Sequence, residues 1–486
     1  MNILFTSSEA VPFSKTGGLA DVSGILPKEI SKNENITLII PYYKNETSPS
    51  IKAKKIDSFD VIINKIKYKT EIYKKRIDKK FNLLLISQDL FFARKFVYGD
   101  SSTAYPDNFY RFLFFQKAII NFIMKNKIIY DIIHVNDWQT SLIPMLLKYS
   151  KNPKIFKSSV FILSIHNLAF QGVFEKHHFK ELEIPDKLFS PDYIEYYNKI
   201  NFLKAGIIFS DSITTVSPTY AKEILKPVYG YGLNGLLKKY SFKLTGILNG
   251  VDYKTWDPEN DPLIYKKYSI KRLVNKKFNK IEFYKEFNLP FKIDSPLAIA
   301  ITRLSKQKGI EILVNSFNKL RRENINILIL GKGDSSYESI LAKISKRSKK
   351  IKFLNLFDEQ IAHKMQAAAD ILLMPSIYEP CGLTQMYSLK YGTVPIVRST
   401  GGLSDTIEDY IPKTRSGTGF KFRIIDPNEF TLTIKKALKI FQDKNEWKTL
   451  QINGMSKNFS WTSSANNYLN LYKKLLKKEK INARID

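Results

Sequence analysis

The 486-residue sequence has a single cysteine, Cys381. An intramolecular disulfide is therefore excluded, and the shortage argues against a thiolate metal site. No apolar run approaches the roughly 20 residues needed to span a bilayer. No charged leader or Ser/Arg-rich transit segment precedes the first apolar run, Ile3-Leu4-Phe5, so a cytoplasmic location is expected. Negative charge is scarce as well. Asp and Glu number 46 against 77 Lys and Arg, a formal net charge of +31. Such a surplus can mark a nucleic-acid or membrane-surface protein. Here the lysines are dispersed and not gathered into one arm, which reads as coding bias. The densest runs are Lys74 to Lys80, Lys266 to Lys280 and Lys473 to Lys480. The first fits an exposed hairpin and the other two fit solvated helix faces. No aromatic-basic RNA motif accompanies the charge, but a positive field still concentrates an anionic substrate.

What is present is an alternation of strands and helices, long enough for two or three domains. Ile3-Leu4-Phe5 reads as a strand. Lys15-Thr16-Gly17-Gly18-Leu19-Ala20-Asp21-Val22 follows it, with Leu19, Val22, Leu26 and Ile30 at helical spacing. Two adjacent glycines let a backbone approach a ligand closely. Amides at a helix start favour negative charge, and Lys15 adds a mobile cation, so a phosphate suits the loop. The motif has an echo in Ser399-Thr400-Gly401-Gly402-Leu403-Ser404-Asp405-Thr406. Further strands are expected at Thr37–Ile40, Leu83–Ile86, Ile132–Val135, Val160–Ile165 and Ser212–Val216. Polar residues recur at their carboxyl ends, where ligands bind in open parallel sheets. Lys15, Asp21, Asp137, His166 and Asn167 thus form one candidate site. Asp137 could equally be a helix N-cap, and His166 a packed residue.

Gly246 to Asp252 interrupts this alternation, and a hinge is placed there. The expected domains are 1–246, 247–460 and a C-terminal helix over 461–486 that can cross back to the first. Its clearest amphipathic stretch is Asn466 to Lys477. In the second domain a strand, Leu297–Thr302, leads into Arg303-Leu304-Ser305-Lys306-Gln307-Lys308-Gly309 and a helical face of Ile310, Leu313, Val314 and Phe317. Arg grips two oxygens at once and Lys acts as a point charge, so this too is a phosphate geometry. Ile371–Met374 leads into Glu379-Pro380-Cys381-Gly382-Leu383-Thr384-Gln385. Two doubly wound α/β halves follow, and facing each other they would form a deep cleft.

Several motifs occur in order over nearly the whole chain. They are Lys15 to Val22, His134-Val135-Asn136-Asp137-Trp138, His166 to Gly172, Ile247 to Asp252, Arg303 to Gly309, Glu379 to Gln385 and Thr400 to Leu403. With them the chain closely resembles bacterial glycogen synthases and the related plant starch synthases. The resemblance implies a GT-B fold, two Rossmann-like domains facing across a deep cleft. It implies retaining transfer of glucose from ADP-glucose to the non-reducing end of an α-1,4-glucan such as glycogen. No metal and no cofactor are implied, ADP-glucose being a substrate. Neither a nucleic acid nor a membrane is an implied partner, and the oligomeric state is left unspecified.

The same resemblance assigns the residues. Lys15 and the Gly17 and Gly18 amides would contact the donor diphosphate, with Asp21 beside them. Arg303 and Lys308 would clamp the phosphates, and Thr384 would add a hydroxyl. Glu379 and the backbone of Cys381, Gly382 and Leu383 would hold the glucose. His166 and Asn249 would lie near its ring, and Asp137 and Tyr105 toward the acceptor. Phe357 stands where an adenine-packing aromatic is common, though on residues alone it could be core. Cys381, Trp138, Tyr42 and Tyr43 are expected to be packing residues. A carboxylate pair would suit double displacement. Position 387, where many GT-B retaining enzymes carry glutamate, is tyrosine. Front-face transfer is therefore expected, the departing phosphate oxygen taking the acceptor's proton. A related transferase using UDP-glucose, a pyridoxal-phosphate glucan phosphorylase, and a basic nucleic-acid-binding protein of the same fold are the competing readings.

Overall fold

A computed structural model of the chain describes residues 1–44, 51–99, 103–150, 156 and 158–482. Two compact units result. The first comprises Met1–Val216, Ala221–Ile247 and the segment from Trp461 on; the second comprises Ser217–Tyr220 and Leu248–Ser460. Ser217–Tyr220 groups with the second unit through Thr219, whose backbone N–H and hydroxyl both donate to Asp405 at 2.8 and 2.6 Å.

The first unit is built on β1 (Asn2–Thr6), β2 (Asn35–Pro41), β3 (Lys54–Ile63), β4 (Ile66–Asp78), β5 (Phe81–Ser87), β6 (Ile132–Asn136) and β7 (Val160–Ile165). A small separate sheet uses β8 (Val173–Glu175), β9 (Glu195–Tyr196) and β10 (Lys199–Asn201), and β11 (Ser212–Thr215) and β12 (Leu244–Gly246) return to the main one. Among the described residues the main sheet is nine-stranded, in the order β12-β11-β7-β6-β1-β2-β5-β4-β3. All its pairings from β12 to β5 are parallel, and β5-β4 and β4-β3 are antiparallel. The central strands are continuous apolar runs because helices cover both faces. β4 instead alternates, and its outward positions carry Lys74 and Arg76. Charge on such an edge hairpin discourages pairing with another chain.

The last helix runs Trp461–Asn482, longer at both ends than the amphipathic stretch Asn466 to Lys477; residues 483–486 of the expected C-terminal helix lie outside the described residues. Trp461, Ala465, Tyr468, Leu469 and Tyr472 are buried in the first unit's core with Val22, Leu26 and Ile30. Their spacing of three and four is that of one helical face. Tyr472 OH lies 2.7 Å from His134 Nδ1, His134 Nε2 lies 2.6 Å from Ser164 Oγ, and Ser164 Oγ lies 2.5 Å from Thr214 Oγ1. Burial pushes the His134 imidazole down to about 3, so it is neutral.

The second unit contains β13 (Leu297–Ile301), β14 (Asn326–Leu330), β15 (Ile351–Leu354), β16 (Ile371–Met374), β17 (Val394–Arg398) and β18 (Phe420–Phe422). They form a parallel sheet of order β15-β14-β13-β16-β17-β18. Among the described residues no helix of either unit is long and apolar enough to cross a membrane.

One expectation fails here. The run Lys266 to Lys280 is not simply a solvated face, because Lys276 and Lys280 are buried. Lys276 Nζ donates to the carbonyls of Gln366 and Ala367 at 3.0 and 3.1 Å and to Thr393 Oγ1 at 2.9 Å. Lys280 Nζ donates to Ser295 O at 2.7 Å and to Asp370 at 2.8 Å. Long stems let each ammonium reach backbone carbonyls, Gln366 O being shared with the Thr393 hydroxyl at 2.7 Å. Lys276→Met would remove these hydrogen bonds, and urea unfolding should show the second unit losing about 1–3 kcal/mol. An unchanged midpoint would show the lysine to be dispensable.

Candidate functional site

In each unit the polar side chains gather where the strand order reverses. At such a switch point adjacent connections leave the sheet on opposite faces, and a crevice opens beyond the strand ends. In the first unit this point is β1, paired with β2 and β6. The loop after β1 carries Glu9, only 2% exposed. Its carboxylate accepts the Thr16 backbone N–H at 2.5 Å, the Thr16 hydroxyl at 2.9 Å and the Tyr98 hydroxyl at 3.2 Å. Burial nevertheless pushes Glu9 up to about 6, against the pull of those donors and of the Gly17 N–H. Glu9 therefore sets the path of the glycine loop. Lys15 is exposed and ion-paired with Asp21 at 2.8 Å. A Cβ added at Gly17 or Gly18 would meet nothing within 4 Å, so the space beside these amides is open.

Asp137 follows β6 with a left-handed backbone, φ +50. It is not an N-cap: its Oδ1 accepts the backbone N–H of His166 at 2.7 Å, tying the end of β6 to the end of β7. Burial pushes its carboxyl up to about 7; the N–H groups of His166 and Asn167 pull it down, and Glu9 adds repulsion. His166 is buried, and its Nε2 lies 2.9 Å from Asn136 Oδ1. Tyr105 is half-buried, with the guanidinium groups of Arg94 and Arg111 each 4.9 Å from its ring centroid. Trp138 packs on Phe112, and Tyr43 is buried and donates to Ser8 O, both as expected of packing residues.

In the second unit the switch point is β13, paired with β14 and β16. Arg303, exposed, and Lys308 follow β13. Glu379 follows β16, 5% exposed, and its Oε2 accepts from Lys308 Nζ at 2.6 Å and from Ser376 Oγ at 3.0 Å. The two loops are laced together by Ile377 N–H to Gln307 O at 2.8 Å and Gln307 Nε2 to Tyr378 O at 3.3 Å. Lys308, Ser376 and Thr384 line one cavity. Asn249 turns its backbone N–H to the Cys381 sulfur, while its buried Oδ1 has no partner among the described residues. Burial pushes the Cys381 thiol up to about 12, so it is a packed residue and not a nucleophile. Gln385 Nε2 holds the carbonyls of Cys381 and Gly382, both at 3.1 Å, which fixes the turn into Leu383 and the helix Thr384–Lys390. Phe357 is 77% exposed, which excludes a core role.

The second glycine pair opens a short helix, Gly401–Thr406. Its Gly402 N–H donates to Glu379 O at 3.1 Å and to Pro380 O at 3.2 Å. A Cβ at Gly401 would stand 2.0 Å from Glu379 O, and one at Gly402 2.1 Å from Cys381 O. These glycines let the helix press against the Glu379 loop and support it. The sequence assigns no role to Glu9, Ser376, Asn136 or Gln385, though the last two stand inside its motifs. Glu9 could have been found, since it too follows an apolar strand.

Two Rossmann-like units, one offering a glycine loop with a mobile cation and the other a lysine–carboxylate pair with an exposed arginine on the lysine's loop, define a glycosyltransferase of the GT-B class. The family model for the starch synthase catalytic domain matches residues 2–239, and that for glycosyl transferases group 1 matches residues 283–483. Glycogen synthase from Fervidobacterium nodosum is 42% identical over 485 residues, 98% of this chain and 99% of that one. Glycogen synthase from Thermotoga petrophila is 39% identical over 495 residues, 98% and 99% of the two chains. Among solved structures, the catalytic domain of starch synthase IV from Arabidopsis thaliana, bound to ADP and acarbose, superposes with a TM-score of 0.88. It is 30% identical and covers 98% of this chain and 99% of its own. Sucrose-phosphate synthase from Thermosynechococcus elongatus, 17% identical with a TM-score of 0.62, shares the fold over 98% of this chain and 99% of its own. The chain belongs to the glycogen and starch synthase family.

The raised Asp137 pKa carries a sign. The native state holds this proton more tightly than the unfolded chain, so the stabilisation is full below the ordinary value of 3.8 and is lost as pH rises through about 7. Between pH 5 and pH 8 the wild type should lose about 3 kcal/mol more unfolding free energy than Asp137→Asn. Urea titrations at the two pH values measure this, and equal losses would show that Asp137 is ionised throughout.

Proposed function

We propose that the chain transfers glucose from ADP-glucose to the non-reducing end of an α-1,4-glucan, with retention at the anomeric carbon. The observation that carries this reading is the Lys308 Nζ–Glu379 Oε2 contact of 2.6 Å at the carboxyl ends of β13 and β16, with exposed Arg303 on the same loop as Lys308. The glycogen synthases it resembles support the glucan acceptor. The ADP and acarbose bound by the Arabidopsis starch synthase domain support an adenine nucleotide and a glucan-like ligand.

In this reading the bond from C1 to the phosphate oxygen breaks, and its electron pair stays on that oxygen. Arg303 and Lys308 neutralise the charge that appears there, an effect realised where charge develops in the transition state. Lys15 exchanges Asp21, and the Gly17 amide exchanges Glu9, for the diphosphate, whose oxygens the Gly18 amide also receives in the open space beside it; Thr384 adds a hydroxyl. The acceptor hydroxyl approaches the same face of C1 and gives its proton to the departing phosphate oxygen. Glu379, with the backbone of Cys381, Gly382 and Leu383, orients the sugar, and His166 and Asn249 border it. Asp137 and Tyr105 lie toward the acceptor, and Phe357 offers a ring face to the adenine. No cofactor enters. A cytoplasmic location is part of the proposal, and the one cysteine, buried and unpaired, agrees with it.

Labelled glucose should pass to glycogen from ADP-glucose faster than from UDP-glucose; faster transfer from UDP-glucose would overturn the donor assignment. Lys308→Ala should lower kcat roughly 100- to 1000-fold while the KM for glucan changes only a few-fold. Unchanged turnover would remove its phosphate role. Lys15→Ala should also lose turnover yet keep the wild-type urea curve.

A further inference from the structure

Asn136 closes β6, and its side chain is fully buried. Its backbone is pinned by Thr140, whose Oγ1 accepts the Asn136 N–H at 2.7 Å. Its amide nitrogen donates to the carbonyl of Thr6 at 3.0 Å. That carbonyl can only accept, so the nitrogen is committed to it and the amide oxygen must be the atom 2.9 Å from His166 Nε2. An amide oxygen also only accepts. Nε2 must therefore carry the hydrogen. Burial pushes the His166 imidazole down to about 3, so the ring takes no second proton at neutral pH. The one lone pair left is on Nδ1. The ring is held from its backbone as well, through the His166 N–H on Asp137. It keeps 9% exposure, and Nδ1 has no hydrogen-bond partner among the described residues.

We propose that Asn136 is a positioning residue that locks His166 in the Nε2–H tautomer, so that Nδ1 accepts a hydrogen bond from one hydroxyl of the transferred sugar. This rests on the reading that His166 borders that sugar. The consequence is selection by hydrogen-bond polarity. A bare imidazole nitrogen receives an O–H, but it has nothing to offer a carbonyl or ether oxygen and it repels a carboxylate. The site then accepts a neutral hexose with its hydroxyl in place and rejects an analogue that lacks the hydroxyl or carries an anion there. Asn136 touches no substrate in this scheme and acts only through the ring.

The first test is spectroscopic and needs no variant. Nitrogen-15 NMR of the histidine-labelled wild-type chain, with His166→Gln to assign the signal, should show Nε2 protonated and Nδ1 bare from pH 6 to 8. A protonated Nδ1 would overturn the proposal. The second test is kinetic, with ADP-glucose and its monodeoxy analogues as donors. The wild type should discriminate against one analogue by roughly 10- to 100-fold in kcat/KM. In Asn136→Ala that discrimination should shrink about tenfold, because the ring is free to turn its proton outward. A purely structural role would lower all donors alike, and that result would overturn the selection. Absence of transfer from any donor would instead defeat the functional reading, leaving the NMR result to decide the tautomer.

Discussion

A polar group withdrawn from water must find a partner, and at the carboxyl edge of a parallel sheet the next strand no longer supplies one. Much of what surrounds the candidate site answers that constraint. The amides after β7 are met by Asp137, and those of the glycine loop by Glu9. The Glu379 carbonyl is met by Gly402, and the Thr6 carbonyl by Asn136. Each partner is itself buried, so its remaining bonding capacity has a fixed direction. A rigid rim follows, with only chosen atoms left to address a ligand. Preorganisation of this kind is what lets fixed donors stabilise a charge that exists only during the reaction.

The two glycine pairs show how context divides one sequence motif into two jobs. Gly17 and Gly18 have empty space where a side chain would stand, while Gly401 and Gly402 have a carbonyl there. The first pair keeps room for something that arrives; the second removes side chains so that one backbone can carry another. Residue identity alone does not separate these cases. What separates them is what lies opposite, and that is set by β17 pairing with β16 in the sheet.

The elements legible in the sequence were those with a local signature. Apolar runs such as Ile132–Val135 and Leu297–Ile301 announced central strands, and the polar residues directly behind them announced the site. The same rule reached Asp137, His166, Lys308 and Glu379. It gave His166 a place but not a tautomer, because the amide that fixes it is bonded to Thr6, 130 positions away. The buried Lys276 and Lys280 looked like their solvated neighbours, since the carbonyls among their partners leave no trace in a residue pattern and Thr393 and Asp370 lie about 90 positions or more away. The bond between His134 and Tyr472 spans 338 positions and joins two residues that each read as ordinary core. Tertiary contacts that satisfy polar groups were thus the part hidden from local reading.

The C-terminal helix has a consequence for the order of assembly. A chain is made from its first residue onward, and domains fold as units when their parts have emerged. The second unit is nearly continuous, so its core can close as soon as its own segment is out. The first unit is not continuous: the face of the helix Gly18–Ile30 that Trp461, Ala465, Tyr468 and Tyr472 cover stays bare until the final stretch is synthesised. The early-made half is therefore the late-finished one. A chain ending before Trp461 would carry a closed second unit and a first unit whose apolar face is open to chaperones.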